Sequence, residues 1–149
     1  MKEIEWFETY ETGFEEIDHD HRNIFDIANG TMRALARGDR EECLRLAGDF
    51  VIALETHFPR EEAFLKEIGY PNVRKHAAHH KGLLRQATRF ADLCGGADED
   101  GPLPAEPFEK LVSVMLADFR GGDLEFRGFL LEKGLDKAMV EERFGSVWL

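Results

Sequence analysis

A small set of histidine and glutamate residues is spaced for metal binding inside a helical protein. His57 and Glu61 are four residues apart, so on a helix both side chains project from one face. His76 and His80 repeat that spacing, and His21 falls on an apolar stripe of helical period. A lone inward histidine is usually an ordinary core residue. Because buried imidazoles and carboxylates are costly without partners, the co-occurrence of these five residues indicates a shared metal site.

The number and type of these ligands favour two metal ions over one. Four imidazoles with several carboxylates exceed the four ligands of a structural zinc site, and no cysteine is suitably spaced for one. Mixed imidazole and carboxylate ligands suit iron or manganese. Bridging carboxylates further suit a pair of ions rather than a single ion.

The elements that would position these ligands are four long helices, predicted from hydrophobic periodicity. Their expected bounds are about 18–37, 41–66, 72–94 and 108–132. An aromatic and acidic N-terminal arm precedes them, a Pro-containing acidic loop lies before the fourth, and a short helix is expected after Gly134. Long helices with short connections predict an all-α, up-down-up-down antiparallel four-helix bundle. Asn72 is a candidate cap for the third helix, and Pro59 is expected either to kink the second helix or to be tolerated as an ordinary bend in it.

Composition restricts the classes of partner. The 149 residues predict one domain spanning 1–149, and the formal net charge of −11 argues against binding nucleic acid or anionic membranes. A hydrophobic fraction of 43% with 12 Phe excludes wholesale disorder. No apolar stretch approaches the ~20 residues that span a bilayer, and the N-terminus lacks the apolar region of a signal peptide. With only two cysteines, the expectation is a cytoplasmic protein with reduced thiols.

Four ordered blocks of this sequence resemble the hemerythrin-like proteins of bacteria. The blocks are Trp6 with Gly13-Phe14-Glu15-Glu16-Ile17-Asp18 and His21; His57-Phe58 with Glu61-Glu62; Tyr70-Pro71 followed by His76 and His80; and Asp123 with Phe126. The resemblance covers nearly the whole chain, and the ordered combination is highly specific. It implies a four-helix bundle that holds a non-haem di-iron centre and binds O2 reversibly.

The resemblance also implies a role for each ligand. Two histidines would bind each iron, and two carboxylates would bridge the ions together with an oxo or hydroxo group. The pairs are His21 with His57 and His76 with His80, and the bridging residues are Glu61 and Asp123.

Asp118 is the main departure from the family pattern. The family's fifth histidine lies five residues before the bridging aspartate, and here that position holds Asp118. On a continuous helix, five residues place Asp118 about 140° away from the face of Asp123, so only the family pattern links the two. Asp118 either replaces the imidazole as an anionic ligand or fails to reach, leaving a water or an open coordination site. The first interpretation is favoured, because an inward carboxylate beside two metal ions tends to bind them.

The predicted function is that of a di-iron protein that binds O2 or senses O2 or redox state. Two alternatives stay open: an oxidase or peroxidase type of enzyme, and a metal-binding bundle without O2 chemistry. A binding or sensing protein is favoured over an enzyme, with O2 or a related small oxidant as its partner and no protein partner that the sequence identifies.

The remaining histidines and the cysteines are given no role at the metal site. His19 and His79 are expected to be solvated. Cys43 and Cys94 are expected to be ordinary thiols near helix ends rather than redox partners.

Overall fold

The computed structural model describes residues 2–96, 100–135 and 137–144, apart from the side chains of 123, 137, 141, 143 and 144. Within these ranges the chain has no strand. It forms a 3₁₀ turn (Glu8–Tyr10) and the helices α1 (Glu15–Arg37), α2 (Arg40–Glu67), α3 (Val73–Cys94), α4 (Ala105–Arg120), α5 (Gly122–Glu132) and α6 (Lys137–Phe144). The predicted four-helix bundle is confirmed: α1 packs on α2, α2 on α3, and α3 on α4, which α5 continues. No helix of the described ranges is long and apolar enough to cross a membrane.

The first helix begins at Glu15, three residues before its predicted start, so Asp18 lies in its first turn. The Asp18 carboxylate is buried and accepts hydrogen bonds from the Thr12 amide and hydroxyl, both at 2.8 Å, and from the Gly13 amide at 3.1 Å. These bonds tie the N-terminal arm to α1. Gly38, with φ of 69°, ends the helix in the left-handed conformation that glycine adopts without strain.

The fourth predicted helix ends at Glu132 as expected, but the structure differs from the prediction at its start and in its middle. It begins at Ala105, before Pro107, because proline fits the first helical turn, where its missing N–H has no intrahelical acceptor. The expected single helix is also divided at Gly121, whose φ of −91° and ψ of −69° depart from helical values. The two adjacent glycines have low helix propensity, which permits this break between α4 and α5.

Asp39 provides a helix cap that was not predicted, and two local predictions concern Asn72 and Pro59. Asp39 caps α2 by accepting a hydrogen bond from the Glu42 amide at 3.1 Å. Asn72 occupies the cap position of α3 but makes no capping hydrogen bond through its side chain, so that predicted role is wrong. Pro59 lies inside α2, which continues through it to Glu67.

The apolar core is divided into two clusters with a polar layer between them. The larger cluster includes Phe25, Leu54 and Phe119, and the smaller one includes Ile17 and Leu65. Along each helix of the bundle, a candidate ligand lies between apolar residues that pack in one cluster and apolar residues that pack in the other. His21 follows Ile17, Glu61 precedes Leu65, His76 precedes Leu83, and Asp118 precedes Phe126. The packing therefore places these polar side chains in one layer.

The glycines inside α1 and α2 offer a matched test of how tightly these helices pack. A Cβ added at Gly48 meets nothing within 4 Å, whereas one added at Gly30 lies 3.3 Å from Leu46 Cδ1. We expect Gly48→Ala to raise the free energy of unfolding by about 0.5–1 kcal/mol, because alanine loses less backbone entropy in a helix. Gly30→Ala should gain less because Leu46 must move. Urea unfolding measures both, and an equal gain at Gly30 would contradict the close packing.

Candidate metal centre

Four buried imidazoles surround the carboxylate of Glu61, which is 0% exposed. Glu61 Oε2 lies 2.8 Å from His57 Nε2 and 3.4 Å from His21 Nε2. Glu61 Oε1 lies 2.5 Å from His76 Nε2 and 3.4 Å from His80 Nε2. Each carboxylate oxygen thus faces its own pair of histidine nitrogens.

This arrangement forms two potential cation sites that share one residue. Donor atoms of His21, His57 and Glu61 lie within 4.8 Å of one another, and so do those of Glu61, His76 and His80. The four-residue spacings on α2 and α3 produce this result, because they place each pair on the inward face of its helix. α1 contributes His21 from the opposite side. The structure therefore brings together all five residues that the spacing argument selected.

Two acidic residues orient the histidines from outside. His57 Nδ1 lies 2.9 Å from an Asp20 carboxylate oxygen, and His80 Nδ1 lies 3.2 Å from one of Glu62. An Nδ1–H that donates to a carboxylate leaves the Nε2 lone pair directed at the centre, as metal-binding histidines require. Sequence reasoning missed both orienting roles. The available signal was only adjacency, since Asp20 precedes His21 and Glu62 follows Glu61.

Aromatic rings cover the histidines on the side of the larger apolar cluster. Phe119 stacks on His21 with ring centroids 4.2 Å apart, and Phe58 stacks on His80 at 3.8 Å. These contacts limit rotation of the imidazole rings and exclude water from their faces. By contrast, His19 and His79 are exposed, as the sequence predicted.

The electrostatics of the centre favour positive charge around Glu61. Burial alone would raise the pKa of Glu61, yet the surrounding histidines hold that pKa well below its usual value. Burial would lower the pKa of His57, but Glu61 and Asp20 raise it to about 10. In the same way, Glu61 and Glu62 overcome burial and raise the pKa of His80 to about 9. A bound cation would supply the same positive charge in place of these protons.

Asp118 lies beside the centre on the side of His80. Its side chain is only 7% exposed, and its Oδ2 is 3.7 Å from His80 Nε2. Burial and the negative charge of Glu61 raise the pKa of Asp118, although His80 opposes this effect. The predicted bridging residue Asp123 belongs to α5, but its side chain lies outside the described residues. The break between α4 and α5 at Gly121 falls between the two aspartates.

A cleft of about 290 Å³ leads to the same side of the centre. Its lining includes His76 and Asp118 together with Tyr70, Lys75 and Gly122. The backbone of α5 approaches the centre closely at Gly122, where an added Cβ would lie 2.9 Å from His76 Cε1 and Nδ1. Only glycine fits here without displacing the imidazole.

Comparison with known sequences assigns this arrangement to a family. The family described as "Hemerythrin HHE cation binding domain" matches residues 12–122. The chain belongs to the hemerythrin family. The matched stretch contains His21, His57, Glu61, the α3 histidines and Asp118, and it ends one residue before Asp123.

Individual relatives agree with this assignment. The chain is 29% identical over 89 residues to a bacteriohemerythrin of Clostridium acetobutylicum, covering 57% of this chain and 69% of that protein. It is 33% identical over 70 residues to a bacteriohemerythrin of Campylobacter jejuni, covering 46% of this chain and 52% of the relative. A myohemerythrin of Theromyzon tessulatum is 23% identical over 126 residues, which cover 85% and 92% of the two chains. The chain thus spans only about half the length of the Campylobacter relative.

Gly122→Ala tests whether close approach of α5 shapes this hemerythrin-family centre. The added methyl group would push the His76 ring away, and we expect affinity for metal at the centre to fall by about tenfold, the lower range for losing a partner of a ligand. Gly128→Ala is the matched control, because a Cβ there meets nothing within 4 Å in the same helix. Elemental analysis after dialysis against a graded chelator measures retained metal. Equal retention by the two variants would contradict the prediction.

Proposed function

We propose that this protein is a non-haem di-iron protein that binds O2, or senses O2 or redox state, at a carboxylate-bridged centre. His21 and His57 would hold one iron, and His76 and His80 the other. Glu61 and Asp123 would bridge them together with an oxo or hydroxo group. The observation that carries the proposal is the placement of each Glu61 oxygen beside a separate pair of imidazole nitrogens.

The donor set fits iron. Imidazole and carboxylate donors suit iron, and no thiolate belongs to either group of donor atoms in the described part of the chain. The buried Nε2 of His80 makes no hydrogen bond with any described group, so its lone pair is available to a metal. The family assignment to cation-binding domains supports the same choice.

The protein's own residues would control what reaches the metals. When bound, the iron pair supplies the electrons that O2 accepts on binding. Asp20 and Glu62 keep the histidine Nε2 atoms directed inward, while the Phe58 and Phe119 rings exclude water. The cleft beside His76 and Asp118 gives a molecule of the size of O2 room to approach the centre, and a second cleft, of about 260 Å³, is lined by Asp20 and His57 on the side of α1 and α2.

A di-iron oxidase or peroxidase is the second candidate. The observation that favours it is the same cleft, because about 290 Å³ exceeds what O2 needs and leaves space for a small reductant. A carrier or sensor binds without consuming a reductant, whereas an enzyme turns one over. Steady-state consumption of a reductant in the presence of O2 or peroxide would therefore favour the enzyme.

Metal analysis with optical spectroscopy tests the leading proposal directly. We expect two irons per chain and, after O2 is added to the reduced protein, an absorption band of an oxidised, oxo-bridged iron pair. The His57→Ala variant removes a donor from one group only and should retain fewer irons. Fewer than two irons per chain in the unmodified protein, with no such band, would contradict the di-iron assignment. Full metal loading without a response to O2 would instead support a metal-binding bundle.

Asp118→His tests the effect of the carboxylate on iron oxidation. With Asp118 as a ligand, two ferrous ions are balanced by three carboxylates and one hydroxide, whereas the histidine version keeps one positive charge. An extra anion stabilises the more highly charged ferric state, so we expect Asp118→His to slow oxidation of the reduced protein by O2 severalfold. Stopped-flow absorbance after mixing with O2 measures the rate.

Two further variants separate charge from geometry at this position. Asp118→Asn removes the charge with little change in shape and should also slow oxidation. Glu109→Gln removes an exposed charge from α4, more than two helical turns from Asp118, and should leave the rate unchanged. An unchanged or faster rate in Asp118→His would count against the electrostatic explanation.

A further inference from the structure

The two cysteines of the chain meet at the end of the bundle where α2 begins and α3 ends. Cys43 lies in the first turns of α2, and Cys94 is the last residue of α3. Both are buried, and their Sγ atoms are 3.4 Å apart, within hydrogen-bonding distance for sulfur. Neither belongs to a group of candidate metal donors among the described residues. The sequence placed both thiols near helix ends but did not predict that they meet.

The surroundings make the two thiols chemically different. The hydrogen bond between the two sulfurs lowers the pKa of Cys43 and raises the pKa of Cys94, and the nearby Arg40 guanidinium acts to lower the pKa of both. Cys43 is also close to the N-terminus of α2, where the helix dipole favours an anion. Arg40 is fixed near the thiols, because it donates hydrogen bonds to the carbonyl oxygens of Cys94 at 3.1 Å and Gly101 at 2.6 Å. Cys43 is thus the better nucleophile, because Cys94 lies at the C-terminal end of α3, where the helix dipole disfavours a thiolate.

We propose that Cys43 and Cys94 form a redox-active dithiol that a hydroperoxide converts into a disulfide linking α2 to α3. The Cys43 thiolate attacks one peroxide oxygen, the O–O bond breaks, and Cys43 becomes a sulfenic acid while a proton completes the departing water or alcohol. The Cys94 sulfur then attacks the sulfenic sulfur, its proton leaves with the hydroxyl group as water, and the S–S bond forms. The two sulfurs lose two electrons together, and the peroxide gains both.

The geometry requires only a small movement. An S–S bond is about 2.05 Å long, so the sulfurs must approach each other by about 1.4 Å. Side-chain rotation at a helix end can supply such a shift with little displacement of the backbone. This proposal does not rest on the proposed function, because the thiols lie fourteen residues from His57 on α2 and from His80 on α3, about 21 Å along each helix.

The test treats the metal-loaded protein with hydrogen peroxide and counts free thiols after rapid acid quenching and denaturation. We expect the unmodified protein to lose both thiols within one chain, to become lighter by two hydrogens in mass spectrometry, and to recover with dithiothreitol. Cys94→Ser should stop at a Cys43 sulfenic acid that dimedone labels. Cys43→Ser should keep Cys94 as a thiol, which also controls for oxidation caused by iron and peroxide.

Persistence of both thiols in the unmodified protein, or oxidation of Cys94 in Cys43→Ser at the unmodified rate, would overturn the proposal. Arg40 provides a kinetic test of the assigned nucleophile. Arg40→Gln should slow disulfide formation severalfold, whereas Arg40→Lys keeps the positive charge and should retain most of the rate. Equal rates in the glutamine variant and the unmodified protein would overturn the assignment of Cys43 as the activated thiol.

Discussion

The structure depends on one buried carboxylate. Glu61 is completely buried, and an ionised carboxylate in such a position is unstable unless positive charge surrounds it. α1, α2 and α3 supply that surrounding as four imidazoles, two beside each oxygen. Asp20 and Glu62 then hold two of the imidazoles by their outer nitrogens. Each helix must keep its rotation and its position along the bundle for this network to persist, so a single charge constrains the relative placement of all its neighbours.

The division of the apolar core follows from that constraint. A polar layer across a bundle interrupts hydrophobic contact, so each side of the layer needs its own cluster of apolar side chains. Phe119 and Phe58 of the larger cluster stack on His21 and His80. Residues that stabilise the fold therefore also exclude water from the faces of these two imidazoles. The α5 side is built differently: it carries the two adjacent glycines, the helix break and the cleft. The cleft beside His76 and Asp118 therefore lies where regular packing is interrupted, whereas a second cleft reaches His57 between α1 and α2.

The sequence predicted what depends on periodicity within one helix. The i,i+4 pairs on α2 and α3 and the inward position of His21 were sufficient to predict a bundle with a buried histidine and carboxylate site. Contacts that depend on how neighbouring helices are rotated about their axes could not be predicted. For this reason the hydrogen bonds of Asp20 and Glu62 to histidines, and the contact between the two cysteines, were missed. Boundaries at glycine and proline were misjudged for local reasons: Pro107 is tolerated in a first turn, and Gly121 divides a stripe whose apolar period continues across it.

The replacement of a histidine by Asp118 and the glycines that follow it are physically related. An aspartate side chain is shorter than a histidine, so its carboxylate can lie near His80 only if the backbone of α4 comes close to the centre. The absence of a side chain at Gly122 permits a close approach of the α5 backbone as well, since any Cβ there would collide with His76. The helix is interrupted only at Gly121, where the Gly121 amide still donates a hydrogen bond to the Ala117 carbonyl at 2.9 Å and the Glu125 amide donates one to the Gly121 carbonyl at 3.1 Å, so α4 passes directly into α5. Asp118 and Gly122 thus lie together beside His80 and His76, and both line the cleft on that face of the centre.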